Sequence, residues 1–406
     1  MGAHQSAFGD CGLRTTTVQG TKRIYPLTSI RFFAGIAIVL THFSTTFWPG
    51  FQNLESHAVL QMCLIRVENL FACFASFFFL LSGYILAVVH LSKGREIEKR
   101  RFFESRFARI YPLFFVTLIL DCPWMIVEKV HHYGWVSGLN RAMSIFMAHV
   151  VMVHGWNMQR LEGIDDPNWS LTAEVFFYVC FPVIGLALWR LKKRSQAWCA
   201  ALAIYAVGVA ISAGGLTWIL SVWLHRPTMP LSSFSPVVHL STFLLGVLVA
   251  RIQSLHAERR GASISSGKAN IGLALVFCGL LMAACFSHNV TAIKLFFTGI
   301  LAPIFGVLIW GLSSAETTVS RLLSARWIVL LGNASFALYL IHIPVLRVFE
   351  HLPWQINLWV LLLYIFVCVG ISVSTYLYFE MPAKEWMLCW FEERRLESAE
   401  KALIVP

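Results

Sequence analysis

Between about residue 27 and residue 378 the chain is a succession of apolar runs, many close to the ~20 residues that cross a bilayer as a helix. Lipid offers an open backbone no hydrogen-bond partner, so runs of this length fold as helices that satisfy their own amides. They lack the short alternating segments of an outer-membrane barrel. The expected fold is an all-α membrane protein, a polytopic bundle of about ten transmembrane helices. The composition agrees: 57% of residues are hydrophobic, 13% are charged, and the mean hydropathy is +0.68. A chain of 406 residues has room for two or three soluble domains, but not with this composition.

The net charge of +11 gathers in short segments between apolar runs. That is the signature of cytoplasmic loops rather than of nucleic-acid binding, and no nucleic-acid partner is expected. Residues 1–26 are polar, lack a signal-peptide core, and read as a disordered cytoplasmic leader. Lys22 and Arg23 precede the first span, 27–48. The second, 69–91, returns the chain to the basic segment 92–110, with Lys93, Arg95, Lys99, Arg100, Arg101, Arg106 and Arg109. The next inside marker is Arg190–Arg194. Three apolar stretches lie between these markers, 111–127, 140–156 and 170–189, and an odd number of crossings cannot join two cytoplasmic loops. The short stretch 140–156, with His149 and His154, is therefore expected to be re-entrant or interfacial. Spans at 198–222, 236–253, 270–289, 292–312, 327–348 and 355–378 bring the total to ten. The expected organisation is a membrane domain over 27–385 and an amphipathic tail, 386–406, on the cytoplasmic surface. The ten cysteines lie mostly in apolar runs, with no CxxC and no ligand spacing. They read as small hydrophobes, and no metal is expected.

Four polar features remain inside this apolar chain. Arg31 and His42 are eleven residues apart in the first span, about 16 Å of helical rise and close to three turns, so they share a face. Intramembrane ionisable groups point to function, although a snorkelling arginine and a satisfied core histidine are the alternative. Glu174 lies one turn inside the span opened by Pro167, Asn168, Trp169 and Ser170. There it can carry a proton, pair with a histidine or serve the helix start, with Ser170 as a cap and Trp169 in an interface belt. Arg106 and Arg109, at i and i+3, share a helix face suited to a multiply phosphorylated ligand, or else to anionic lipid. Ser335, Tyr339 and His342 form a polar stripe, which is more often helix–helix glue than catalytic machinery. Ser82-Gly83 reads first as a close-packing site.

Together these stretches resemble the acyltransferase-3 family of integral-membrane O-acyltransferases over about residues 25–385. The matching features are Arg31 followed by ten residues and His42, the segment FFFLLSGYIL, and ESRFARIYP with Arg106 and Arg109. They continue with Trp169, Ser170, Leu171 and Glu174, then the block from Ser335 to His342, and finally Glu380 with Pro382. One departure is Thr28-Ser29-Ile30 before Arg31, where many members have an Asp-Gly-Leu-like stretch.

The resemblance implies transfer of an acyl group, commonly acetyl, from acyl-CoA (acetyl-CoA is the usual proposed donor) to a hydroxyl of an extracytoplasmic carbohydrate or glycolipid. The expected setting is a multi-pass protein of a bacterial inner membrane, with both termini placed in the cytoplasm by the basic segments and the count of spans. Such a reaction needs a base for the hydroxyl proton, cations for donor phosphates and a stabiliser of the developing oxyanion. The candidate catalytic residues are His42, as base or acyl acceptor, and Glu174, to orient or protonate it. The candidate donor-binding residues are Arg106, Arg109 and Arg31. A transporter or flippase using buried His and Glu is the rival reading. No repeat relates the two halves, which weighs against it. Acylation of a small molecule is a further alternative.

Overall fold

The computed structural model describes residues 25–51, 66, 69–71, 73–92, 97–156, 166–215, 233–260, 265–287, 289–314, 316–353 and 357–404. The leader up to residue 24, with Lys22 and Arg23, and also Lys93 and Arg95, lie outside the described residues.

Those residues form helices and short turns with no strand. The helices are α1 (Tyr25–Phe51), α2 (Phe74–His90), α3 (Lys99–Tyr133), α4 (Trp135–Val150), α5 (Trp169–Cys180) and α6 (Leu186–Trp189). They continue with α7 (Arg194–Ser212), α8 (Pro236–Arg260), α9 (Ser266–Phe286), α10 (Val290–Thr298), α11 (Ala302–Ser314) and α12 (Thr318–Leu323). The last four are α13 (Arg326–Asn333), α14 (Ser335–Glu350), α15 (Leu358–Thr375) and α16 (Met381–Ile404). Wider π turns join α5 to α6 (Phe181–Gly185) and α15 to α16 (Tyr376–Glu380). Among the described residues nine segments are long and apolar enough to cross a membrane, and α13 with α14, bent by 58°, makes a tenth. The chain is a multi-pass membrane protein of the expected kind.

The segment 92–110 is not a loop throughout: α3 begins at Lys99 and carries Arg106 and Arg109 within it. At 35 residues α3 is about 52 Å long, more than a ~30 Å hydrocarbon core requires. The stretch 140–156 falls mostly in α4, whose 16 residues fold back along α3. The Tyr111 hydroxyl donates to the Val150 carbonyl (3.3 Å), and Phe114 stacks on His154. The chain thus returns along α3 to the start of α5.

Close backbone approach sets the central crossing, α2 against α8. A Cβ on Gly83 would lie 2.0 Å from the Phe243 carbonyl oxygen, and one on Gly246 would lie 1.9 Å from that of Leu80. Without a hydrophobic drive between helices in lipid, such small-residue contacts bring backbones together. Trp169 does not sit at an interface: it is 4% exposed, enclosed by Phe79, Phe234, His239 and Phe297 from α2, α8 and α10 and the turn before α8. Of the eight described cysteines only Cys73 and Cys368 are buried; Cys199, Cys278 and Cys285 are exposed on apolar, membrane-facing helices. Between α3 and α14, buried Asp121 pairs with Arg347 (3.5 Å).

The tail continues the last span through the π turn and docks on the start of α3. Arg395 lies 3.7 Å from Glu98 and 3.5 Å from Glu104, and Arg101 lies 3.4 Å from Glu392.

Candidate functional site

Six spans of the bundle, counting the bent α13–α14 pair as one, surround a cavity of about 350 Å³. On α1, helical periodicity turns Leu27, Thr28, Arg31 and Ile38 to one side, and all four line it. The same holds for Arg106 and Arg109 on α3, and for Ser170, Glu174 and Tyr178 on α5. Ser82 comes from α2, Ser335 and Tyr339 from α14, and Tyr376, Glu380 and Lys384 from the last span. The α13–α14 break falls at this wall, where Asn333 and Ser335 face the cavity. There a Cβ on Gly332 would sit 2.2 Å from the Thr28 carbonyl oxygen, so α13 is pressed on the α1 backbone.

Paired contacts give the cavity a direction. At one end Arg106 stands over the Tyr178 ring, 6.0 Å from its centroid. Tyr178 donates a short hydrogen bond to Glu174, which also accepts from Ser82 (3.4 Å). Arg31 interacts electrostatically with Arg109, Glu174 and Glu380. At the other end the hydroxyls of Ser170 and Tyr339 are 2.7 Å apart, and Tyr339 donates to the Pro167 carbonyl. Ser170 therefore ties α5 to α14 rather than capping α5, whose N-cap residue is Asn168.

His42 does not line the cavity. It lies one turn beyond Ile38 on the same face of α1, and its ring is 5.3 Å from that of His342, centroid to centroid. His342 in turn follows Tyr339 by one turn on α14, with ring centroids 6.0 Å apart. Its ring is wholly buried, and its nitrogens have no well-aligned hydrogen-bond partner among the described residues; the Leu338 and Tyr339 carbonyls are within reach of the ring. The Tyr364 hydroxyl donates to the His342 carbonyl (3.0 Å), bracing this turn from α15.

Of the sequence-derived candidates, then, Arg31, Arg106, Arg109 and Glu174 converge on one cavity, with His42 one turn past its far end. Glu174 and His42 share no hydrogen bond or ion pair among the described residues. The carboxylate sits with the cations, and the imidazole faces a second imidazole. Sequence reasoning did not single out Tyr178 or Lys384. The available signal was their spacing, each four residues after a glutamate that faces the cavity.

Beside the site, at the start of α5, His149 and His154 stack with ring centroids 3.9 Å apart and planes 3° from parallel. His149 bonds the Ile145 carbonyl (2.9 Å), and His154 bonds the Asn168 carbonyl (2.9 Å) and Thr172. Burial, and for His149 also its neighbour, pushes these imidazoles down, to about 3 for His149 and about 4 for His154. Both are neutral at ordinary pH, clamping the turn that presents Ser170 and Glu174.

The membrane bundle thus encloses a cavity with charged groups at one end, and the faces of α1 and α14 that line it continue to the His42–His342 pair. The chain belongs to the acyltransferase-3 family, whose acyltransferase domain model matches residues 24–378. It is 27% identical over 341 residues to acyltransferase MdmB of Streptomyces mycarofaciens, covering 80% of this chain and 79% of that one. It is 20% identical over 377 residues to the peptidoglycan O-acetyltransferase OatA of Listeria monocytogenes serovar 1/2a, covering 85% of this chain and 57% of that one. No solved structure matches. The protein is a membrane acyltransferase.

Proposed function

We propose that the enzyme transfers an acyl group, acetyl in the first instance, from acyl-CoA to a hydroxyl of an extracytoplasmic carbohydrate or glycolipid. The observation that carries this reading is the polarity of the cavity. Arg31, Arg106, Arg109 and Lys384 meet two carboxylates at one end, while α1 and α14 both lead to the His42–His342 pair at the other. A volume of about 350 Å³ is near the lower limit for ligand pockets. It suits a linear, acyl-bearing arm with its phosphates among the cations, and the nucleotide outside.

The His42 imidazole takes the proton of the acceptor hydroxyl as its oxygen attacks the thioester carbonyl. The carbon–sulfur bond then breaks, and the thiolate recovers the proton from the imidazolium. An imidazole can both accept a proton and return it, which the two transfers require. His342 touches His42 rather than the donor, so its role is to position that ring. Arg106 and Arg109 supply fixed forks for phosphate. Glu174 keeps Tyr178 and the guanidiniums in place. In this reading the cationic end, near the start of α1, faces the cytoplasm of a bacterial inner membrane, with both termini on that side.

Purified protein given acetyl-CoA and a glycan fragment should release CoA and acetylate the glycan, and His42→Ala should abolish both while folding normally. A soluble small-molecule hydroxyl acceptor in a parallel reaction identifies the other acceptor class. Neither hydrolysis nor transfer by the folded wild type, with either acceptor, overturns the reading in favour of transport.

A further inference from the structure

The last span brings to the cavity a cation that belongs to none of the sequence motifs. Tyr376, Glu380 and Lys384 are spaced by four residues, a step that in an α-helix drifts by about 40° each time. The π turn over Tyr376–Glu380 is wider and offsets this drift, so all three face the cavity. Single π turns of this kind are frequent at functional sites. The wall they form is rigidly tied to α3, which carries Arg106 and Arg109. Arg395, three turns beyond Lys384, is held by Glu98 and Glu104 at the start of that helix.

Glu380 is 9% exposed, and its Oε2 has no hydrogen-bond partner among the described residues. It feels Arg109, Arg31 and Lys384, while Lys384 feels Arg109, Arg106 and Glu380. Among the described residues no ion pair within 4.0 Å joins any two of the six charged groups lining the cavity. One carboxylate thus draws three cations around a shared space without neutralising any of them. Four cations against Glu174 and Glu380 leave an excess of two positive charges, which calls for a ligand with at least two negative ones.

We propose that Lys384 is a donor-binding residue, which with Arg106 and Arg109 holds a diphosphate-type group of the acyl carrier, and that Glu380 positions these cations. This rests on the phosphate-bearing donor proposed above. The two guanidiniums give fixed forks, and the lysine, a compact charge on a flexible stem, follows the phosphate as it seats.

The test uses the full-length protein in detergent, with inorganic pyrophosphate as the binding probe and acetyl-CoA as the substrate. Lys384→Met keeps the aliphatic stem, Lys384→Arg keeps the charge, and exposed Lys268→Gln serves as the control. Lys384→Met should weaken pyrophosphate binding and raise the KM for acetyl-CoA about tenfold, as expected for losing one charged hydrogen bond, with kcat changed less than twofold. Lys384→Arg should restore both to within about threefold, and Lys268→Gln should change neither. An unchanged KM in Lys384→Met, or a loss of kcat alone, overturns the proposal and leaves the donor reading intact. A wild-type protein that binds neither pyrophosphate nor acetyl-CoA overturns both.

Discussion

Replacing Gly83 by alanine tests whether the α2–α8 crossing sets the geometry of the cavity. The added Cβ would lie 2.0 Å from the Phe243 carbonyl oxygen, 3.0 Å from its carbon and 3.3 Å from its Cδ2. Two of these three atoms are backbone, so no rotamer change relieves the clash and α2 must move away from α8 by about an ångström or more. Ser82, the neighbouring residue, moves with it, and its 3.4 Å contact with Glu174 is lost. Alanine is worth about 1 kcal/mol over glycine within a helix, against about 3 kcal/mol at the upper end for overpacking. The net expectation is a loss of about 2 kcal/mol. A displacement near 1 Å in a catalytic constellation costs about a hundredfold in rate. Gly35→Ala is the matched control. Its Cβ would meet only the Leu338 Cδ2, at 3.6 Å, so helix propensity should leave it as stable as wild type or slightly more so. Thermal unfolding in detergent and acetyl-transfer rates measure the two effects. Equal stability and equal rates for the two variants would refute the argument that this crossing positions the site.

Glu174→Gln should lower kcat less than tenfold, because the carboxylate touches Ser82 and Tyr178 rather than the imidazoles. A fall of about 10²–10⁴ in transfer assays would make it a proton carrier after all. Asp121→Ala should destabilise the bundle by about 2 kcal/mol by removing the buried carboxylate that pairs with the half-buried Arg347, and Asp121→Leu with Arg347→Met should recover most of the loss in unfolding measurements. Stability should fall as pH drops from about 6.5 towards about 4, because released imidazoles bind protons that the buried His149–His154 pair refuses. The groups these rings meet, Phe114, Thr172 and the Ile145 and Asn168 carbonyls, are uncharged. The apparent Tm against pH should accordingly be flatter in His149→Phe with His154→Gln.

Much of this was legible in the chain because it depends on local period or on parity. Helical spacing alone puts Arg31, Ile38 and His42 on one face of α1, and Arg106 with Arg109 on one face of α3. Counting crossings between basic segments singles out 140–156, and α4 is not among the long apolar helices of the described residues. What stayed hidden is long-range. The density of charge over 92–110 outweighed its helical period, so the start of α3 read as loop. Glu174 was legible as a buried acid, but its partners come from α2 and from four residues further along its own helix, and neither has a charge pattern to announce it. Trp169 has the composition of an interface residue, and only the aromatic cage from three other elements makes it core. Lys384 was concealed by the tail that follows: Lys, Glu and Arg after Met381 read as a solvated surface until the π turn aims one of them inward.

In the proposed acyl transfer, the separation of the cations from the imidazoles has a use. A carboxylate beside His42 would stabilise an imidazolium at rest and so spend the base before the hydroxyl arrives. His42 instead faces a second buried imidazole, ring centroids 5.3 Å apart. The acids are instead used where surplus positive charge needs them, among Arg31, Arg106, Arg109 and Lys384. One end of the bundle is thereby set for an anion and the other for a neutral base. For the donor proposed above, the roughly 16 Å of α1 between Arg31 and His42 would be the distance its acyl-bearing arm spans. On that reading the phosphates of the proposed donor stay on the cationic side, and only its acyl end has to reach the imidazoles.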